Sequence, residues 1–306
     1  MVKTCQLEIP EFEQSKKGAM SMNKKMTLVV MMLSVLWGCA AQDAGINGPT
    51  EILTPGYDVV YYPQITPDTT WNSVLSDLRK TIRDTIWIYM GEDHLKYSHP
   101  SIVKDLAFKN NRVEISYEPV GTKNTRTFSL FYYQLLNSTI AAQSGRDGRR
   151  GRYAIIIPEI VTLRAVDLAT TQRFADALFF RQQQIKNVMK KYDEAIADFE
   201  PVAAQYRGLA VKPAVTEEQR RLIVQANALA QQKQYDKAIS RYQELIELEK
   251  TAYPEAYFNL ALLAAQDNLP VSAIFYMRHY LLLKPDAKDA RSAQDKIYEW
   301  EMILQK

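Results

Sequence analysis

Ala238 and Ala273 stand 35 residues apart, each inside the same succession of small and large side chains. In Gln219–Lys250 the succession is Ala226, Leu229, Tyr235, Ala238, Tyr242 and Leu245. In Pro254–Asp286 it is Tyr257, Leu260, Ala261, Ala264, Ala273, Met277 and Tyr280, closed by Pro285. Apolar residues three and four apart mark the buried face of a helix, and self-similarity at a period near 34 marks a repeated helix pair. The alanines matter because a small residue at a contact lets two helices approach closely. Two pairs are fewer than the three that a free-standing solenoid normally needs, so both ends require a cover. Ala287–Leu304, with Ala290, Ala293, Ile297, Trp300 and Ile303 at helical spacing, predicts a capping helix over 287–306.

The opening Tyr235-Asp236-Lys237-Ala238-Ile239 resembles the start of the second helix of a tetratricopeptide repeat, and the two successions together resemble two such units over 214–286. The resemblance implies an all-α domain that serves as a docking surface for a partner protein. Tyr192-Asp193-Glu194-Ala195-Ile196 mimics the same opening, but its alanine lies 43 residues before Ala238, which argues against a regular third unit.

At the other end, Lys24-Lys25 precedes an apolar run from Met26 to Trp37, which closes on Gly38-Cys39. A membrane-spanning helix needs roughly 20 apolar residues; this shorter run has the length of a signal peptide's apolar region. It resembles the signal peptide and lipobox of a bacterial lipoprotein, with Met22 as the expected start. That resemblance implies cleavage between Gly38 and Cys39, lipid attachment to the Cys39 thiol, and acylation (palmitate or similar) of the new amino terminus. Each buried methylene contributes about 0.8 kcal/mol, so two or three chains anchor a protein stably. Ala40 rather than Asp follows the cysteine, so the expected location is the outer membrane, facing the periplasm.

Residues 39–70 carry Gly45, Gly48, Pro49, Pro55, Gly56, Pro63 and Pro67 and read as an extended tether. From 71 to 182 the period changes. Trp71, Val74, Leu75, Leu78 and Ile82 predict a short helix; alternation at Val113, Ile115 and Tyr117 and at Phe128, Leu130 and Tyr132 predicts half-buried strands. The stretch 86–89 repeats that alternation less cleanly, and the denser runs at 153–157 and 160–166 predict strands buried on both faces or at a barrel edge. These short antiparallel strands form a small barrel or sandwich in this reading, closed by a helix starting near Thr170-Thr171. Strands followed by a helix bearing Arg173-Phe174-Ala175-Asp176-Ala177-Leu178 resemble a pleckstrin-homology-like barrel. The expected class is therefore α+β: a β-rich unit followed by an all-α helical-repeat unit. Between them, 183–213 reads as a long helix and linker. Leu178, Ile185, Tyr192, Phe199 and Tyr206 share one seven-residue register, which serves either a coiled coil or packing against the later helices of the same chain.

The formal charge of +3 is reduced when residues 1–38 are removed, so no global field draws nucleic acid or acidic ligands. Of the two cysteines, Cys5 lies in the leader and Cys39 at the lipid site, leaving the mature chain no disulfide. His94 and His99 lack ligand spacing, and His279 reads as a partly exposed helix residue. No catalytic residue, metal site or cofactor motif is read. Ser144–Arg152 concentrates charge at Arg146, Arg149, Arg150 and Arg152; these either form a solvated hairpin tip or meet an anionic headgroup or acidic partner. The sequence thus points to a lipid-anchored, non-catalytic adaptor or assembly protein of the envelope. The alternative is a lipid- or ligand-sensing module acting through the β-rich unit, and the weakest reading is an unrecognised hydrolase.

Overall fold

The computed structural model describes residues 57–66, 68–81, 86–90, 100–145 and 151–305. The strands are β1 (Tyr57–Tyr61), β2 (Trp87–Met90), β3 (Ser101–Phe108), β4 (Arg112–Pro119), β5 (Arg126–Phe131), β6 (Ala142–Gly145), β7 (Tyr153–Ile157) and β8 (Val161–Ala165). They form one antiparallel sheet in the order β1-β6-β7-β8-β2-β3-β4-β5. The sheet is open, with β1 and β5 as its edges. Helix α1 (Trp71–Thr81) lies between β1 and β2, and a 3-10 turn (Tyr132–Leu135) follows β5. The helices α2 (Leu168–Gly208), α3 (Glu217–Gln231), α4 (Tyr235–Leu248), α5 (Glu255–Gln266), α6 (Pro270–Leu283) and α7 (Ala290–Gln305) complete the chain. The α+β layout of the sequence reading stands.

Alternation in β4 buries Val113, Ile115 and Tyr117 against Phe174, Ala175 and Leu178 of α2, with Val74 and Leu78 of α1 in the same core. Central β8 is buried along its whole length, Arg164 included. That guanidinium donates from Nε to the Gly151 carbonyl (3.0 Å) and from Nη1 to the Tyr57 hydroxyl (3.0 Å), and it lies over the Tyr57 ring. Gly151 is required there: its φ is +83°, and a Cβ would stand 2.9 Å from that of Arg164.

Three expectations need correction. The tether does not extend to residue 70, because Tyr57–Tyr61 pair with β6 as an edge strand and Tyr57 is buried. The start of α2 is capped by Asp167, not by Thr170 or Thr171. Its carboxylate accepts from the amides of Ala169 (3.2 Å) and Thr170 (2.9 Å), two of the donors a helix start leaves unpaired. His279 is buried rather than partly exposed.

Helix α2 runs 41 residues. It continues through Pro201, where proline removes a helical hydrogen bond, because Phe199, Ala203 and Tyr206 on either side are buried in the helical core. The seven-residue register therefore divides between two cores. Leu178 and Ile185 pack on the sheet, whereas Phe199 and Tyr206 belong to the helical core and Tyr192 stacks on Phe275 of α6 at 3.9 Å. The stripe is used within one chain. At its end the Lys212 ammonium donates to the carbonyls of Tyr206, Arg207 and Leu209, a cation on the negative end of the helix.

The two helical hairpins repeat in backbone detail. After α3, Lys233 adopts φ 58°, and after α5, Asn268 adopts φ 56°. At the first turn the Lys233 amide bonds the Ala230 carbonyl and the Gln234 amide reaches Leu229; at the second, Asn268 bonds Ala265 and Leu269 reaches Ala264. Each is a left-handed helix ending that satisfies otherwise orphaned carbonyls. Every partner in one turn lies 35 residues from its counterpart in the other.

Candidate functional site

Most of the residues that carry the repeat pattern are frame, not surface. Ala226, Ala238, Tyr242, Leu245, Tyr257, Leu260, Ala261, Ala264, Ala273, Met277 and Tyr280 are buried in one core, with Leu229 and Tyr235 packed at its margin. Pro285 is exposed in the turn after α6. Ala238 and Ala273 have no exposed surface, as close helix contacts require.

The pattern also fixes what remains uncovered. On α5 the deeply buried side chains leave Phe258, Asn259, Leu262 and Ala265 part-exposed at helical spacing. On α3 the exposed stripe includes Val224, Asn227, Ala228 and Gln231. The Tyr242 hydroxyl of α4 joins the two helices: it donates to the Asn227 Oδ1 (2.7 Å) and accepts from the Asn259 Nδ2 (2.8 Å). Burial, partly offset by the Asn259 bond, pushes the Tyr242 phenol up to about 12, so it is neutral at physiological pH. The result is an uncharged polar centre flanked by apolar side chains. Such a surface can hydrogen-bond a peptide amide while packing an apolar side chain. The sequence reading missed Asn227, Phe258, Asn259 and Leu262; the signal was their placement between buried positions of a recognised pattern.

This face is held rigidly. Phe258 packs edge-on to Tyr280 of α6 at 5.1 Å, and the Tyr280 hydroxyl donates to Asp289 at 2.7 Å. The Lys284 ammonium pairs with Glu255, which raises the lysine pKa. Two contacts tie the helices to the sheet unit: Asn111 Nδ2 donates to the Asp267 carbonyl (2.7 Å) and Asn137 Nδ2 to the Leu304 carbonyl (2.8 Å).

Other sequence candidates are not brought to this face. Gly38, Cys39, His94, His99, Arg146, Arg149 and Arg150 lie outside the described residues. Arg152 is exposed, its guanidinium over the Tyr153 ring. Among the described residues no three His, Cys, Asp or Glu side chains gather as a metal site, and no helix is long and apolar enough to cross a membrane. No protein-family model, curated protein or solved structure matches the chain.

Proposed function

We propose that this protein is a lipid-anchored adaptor of the bacterial envelope, tethered through Cys39 at the outer membrane and facing the periplasm. In this reading it binds a partner protein, without catalysis, on tetratricopeptide-like helices. The observation that carries the docking half is the 35-residue recurrence of both the packing alanines and the left-handed helix endings, which supports reading the two hairpins as successive units of one repeat. The polar centre at Asn227, Tyr242 and Asn259 is then the docking face. Helix α2 and helix α7 both pack on α6, so they cover the C-terminal end of the two-unit array, and the α3 end that the long helix was expected to cover is left to α3 itself.

The test is affinity capture from detergent-solubilised envelope, comparing the unsubstituted protein with the exposed double variant Val224→Glu/Asn227→Lys. A partner retained by the first and lost by the second supports the assignment. Equal capture by both removes this face from the function.

A second reading draws on where the chain enters the sheet. Tyr57, the first residue of β1, pairs with Gly145, the last of β6, and Arg146, Arg149 and Arg150 follow Gly145 in the sequence. A lipid anchor and a basic segment on one chain would together favour contact with anionic headgroups. The pleckstrin-homology-like resemblance agrees with this only in the order of strands and helix, since the sheet is open. Co-sedimentation with phosphatidylglycerol vesicles at low and high salt, with the four arginines replaced by Ser, separates the two readings.

A further inference from the structure

His279 lies where the C-terminal half of α2 meets the helical core. Its ring is ringed by aromatics from three helices: Phe199 of α2 at 4.5 Å, Tyr257 of α5 at 5.1 Å and nearly parallel, and Phe275 of α6 at 4.4 Å. One nitrogen, Nδ1, lies 3.0 Å from the Phe275 carbonyl. A carbonyl only accepts, so Nδ1 carries the hydrogen and Nε2 is the site a second proton would take. Charging the ring would place an ion in an environment built for a neutral one.

The charged groups around it are engaged elsewhere or of the wrong sign. On α2, Asp193 faces Arg278 of α6 (3.5 Å), which also binds Glu301 of α7 (3.0 Å). On α5, Glu255 is held by Lys284, the residue that follows α6. From α4 and the segment after it, Glu247 acts on Tyr276 and Glu249 on Tyr257, while Lys250 places positive charge near the ring. The phenols of Tyr192, Tyr257 and Tyr276 are all raised by burial and stay neutral.

We propose that His279 is a protonation-controlled latch: its neutral ring fastens the C-terminal half of α2 to α5 and α6, and its protonation releases that half of the helix. The sign follows from linkage. Burial, reinforced by Lys250 and opposed by the Phe275 bond, lowers the folded pKa from 6.5 to about 4. The released state therefore binds the proton more tightly, and docking weakens as pH falls from about 6.5 toward about 4. Above that window both states are neutral and the latch is fully closed. Because α2 also packs on the sheet through Phe174 and Leu178, release would free the tail while its first turns stay in place.

The experiment uses the full chain with His94→Gln and His99→Gln, so that His279 is the sole histidine. Hydrogen-exchange protection of residues 192–208, corrected for the intrinsic pH dependence of exchange, is followed from pH 7.5 to 4.5 beside the same chain carrying His279→Phe. Protection of the histidine form is expected to fall roughly 100-fold across that range relative to the phenylalanine form. Parallel loss in both overturns the proposal. If His279→Phe does not fold, imidazole titration by NMR in the histidine form decides: a midpoint below about 5 accompanied by loss of protection at 192–208 supports the latch, and titration near 6.5 with protection intact refutes it.

Discussion

Phe199→Ala tests whether the tail of α2 is an integral part of the helical core. Phe199 is 5% exposed and packs against both Tyr257 and His279. A buried phenylalanine removes roughly 150–250 Å² from water, which at about 25 cal/mol per Å² sets an upper value of about 4–6 kcal/mol. Alanine keeps the β-carbon and the neighbours relax partly, so the expected loss is about 3–5 kcal/mol. That is a large fraction of the roughly 5–15 kcal/mol that holds a domain folded. Since Phe174 and Leu178 hold the first half of the helix independently, the loss should concentrate in 192–208 and α6. Urea denaturation gives the total, and segment-resolved hydrogen exchange gives its location. A cost under about 1 kcal/mol, or equal loss of protection in β4, β7 and β8, would refute the division of α2 between two cores.

Four further outcomes are expected. Ala238→Trp overfills a site with no exposed surface and should cost about 1–3 kcal/mol or more, read by thermal denaturation. Lys233, at φ 58°, should accept glycine with a change between zero and about 1 kcal/mol of stabilisation, whereas Lys233→Val should cost about 1–2 kcal/mol; the two melting temperatures side by side check the backbone argument. Asp167→Ala removes the α2 cap and should cost about 1 kcal/mol. The Thr170 bonds lower the carboxyl pKa from 3.8, so the cap's contribution is complete above that value and disappears as pH falls through the lowered one, which an acid titration of both forms would show. Cys39→Ser should abolish incorporation of labelled palmitate in cells and leave the chain uncleaved or unanchored; continued full membrane partition would remove the lipoprotein reading.

The helical half was the more legible in sequence because its information is local. Alanines at Ala226, Ala238, Ala261 and Ala273 record helix contacts directly, and the apolar stripes of α4 and α7 repeat every turn. The sheet was read unevenly, for physical reasons. Strand β4 alternates cleanly, whereas the register of β3 shifts between Val103 and Asp105, which breaks the two-residue period. Strands β1 and β6 are five and four residues long, and β6, Ala-Gln-Ser-Gly, has almost no apolar signal. Within the run 160–166, read as buried, the partners of Arg164 were not legible: its charge is buried against the Tyr57 ring and the Gly151 carbonyl, contacts made from 107 and 13 residues away. His279 fails in the same way, since its surroundings come from α2 and α5. The proposed docking face could not be read as residues, because Asn227 and Asn259 become a pair only through the hydroxyl of Tyr242.

The dual attachment of α2 also restricts how this chain can change in length. Each residue added to a helix turns everything beyond it by about 100° and moves it about 1.5 Å along the axis. Between the last sheet-facing position, Ile185, and the first contact with α6, Tyr192, an insertion of one residue would swing Phe199 and Tyr206 away from their pockets. Seven residues would nearly restore the angle, but they would displace the tail by about 10 Å and strain the Asn111–Asp267 and Asn137–Leu304 bonds. Neither rotation nor translation has a free solution. The exposed side chains at Lys186, Asn187, Lys190 and Lys191 can be exchanged with little consequence, while the number of residues between the two cores is fixed.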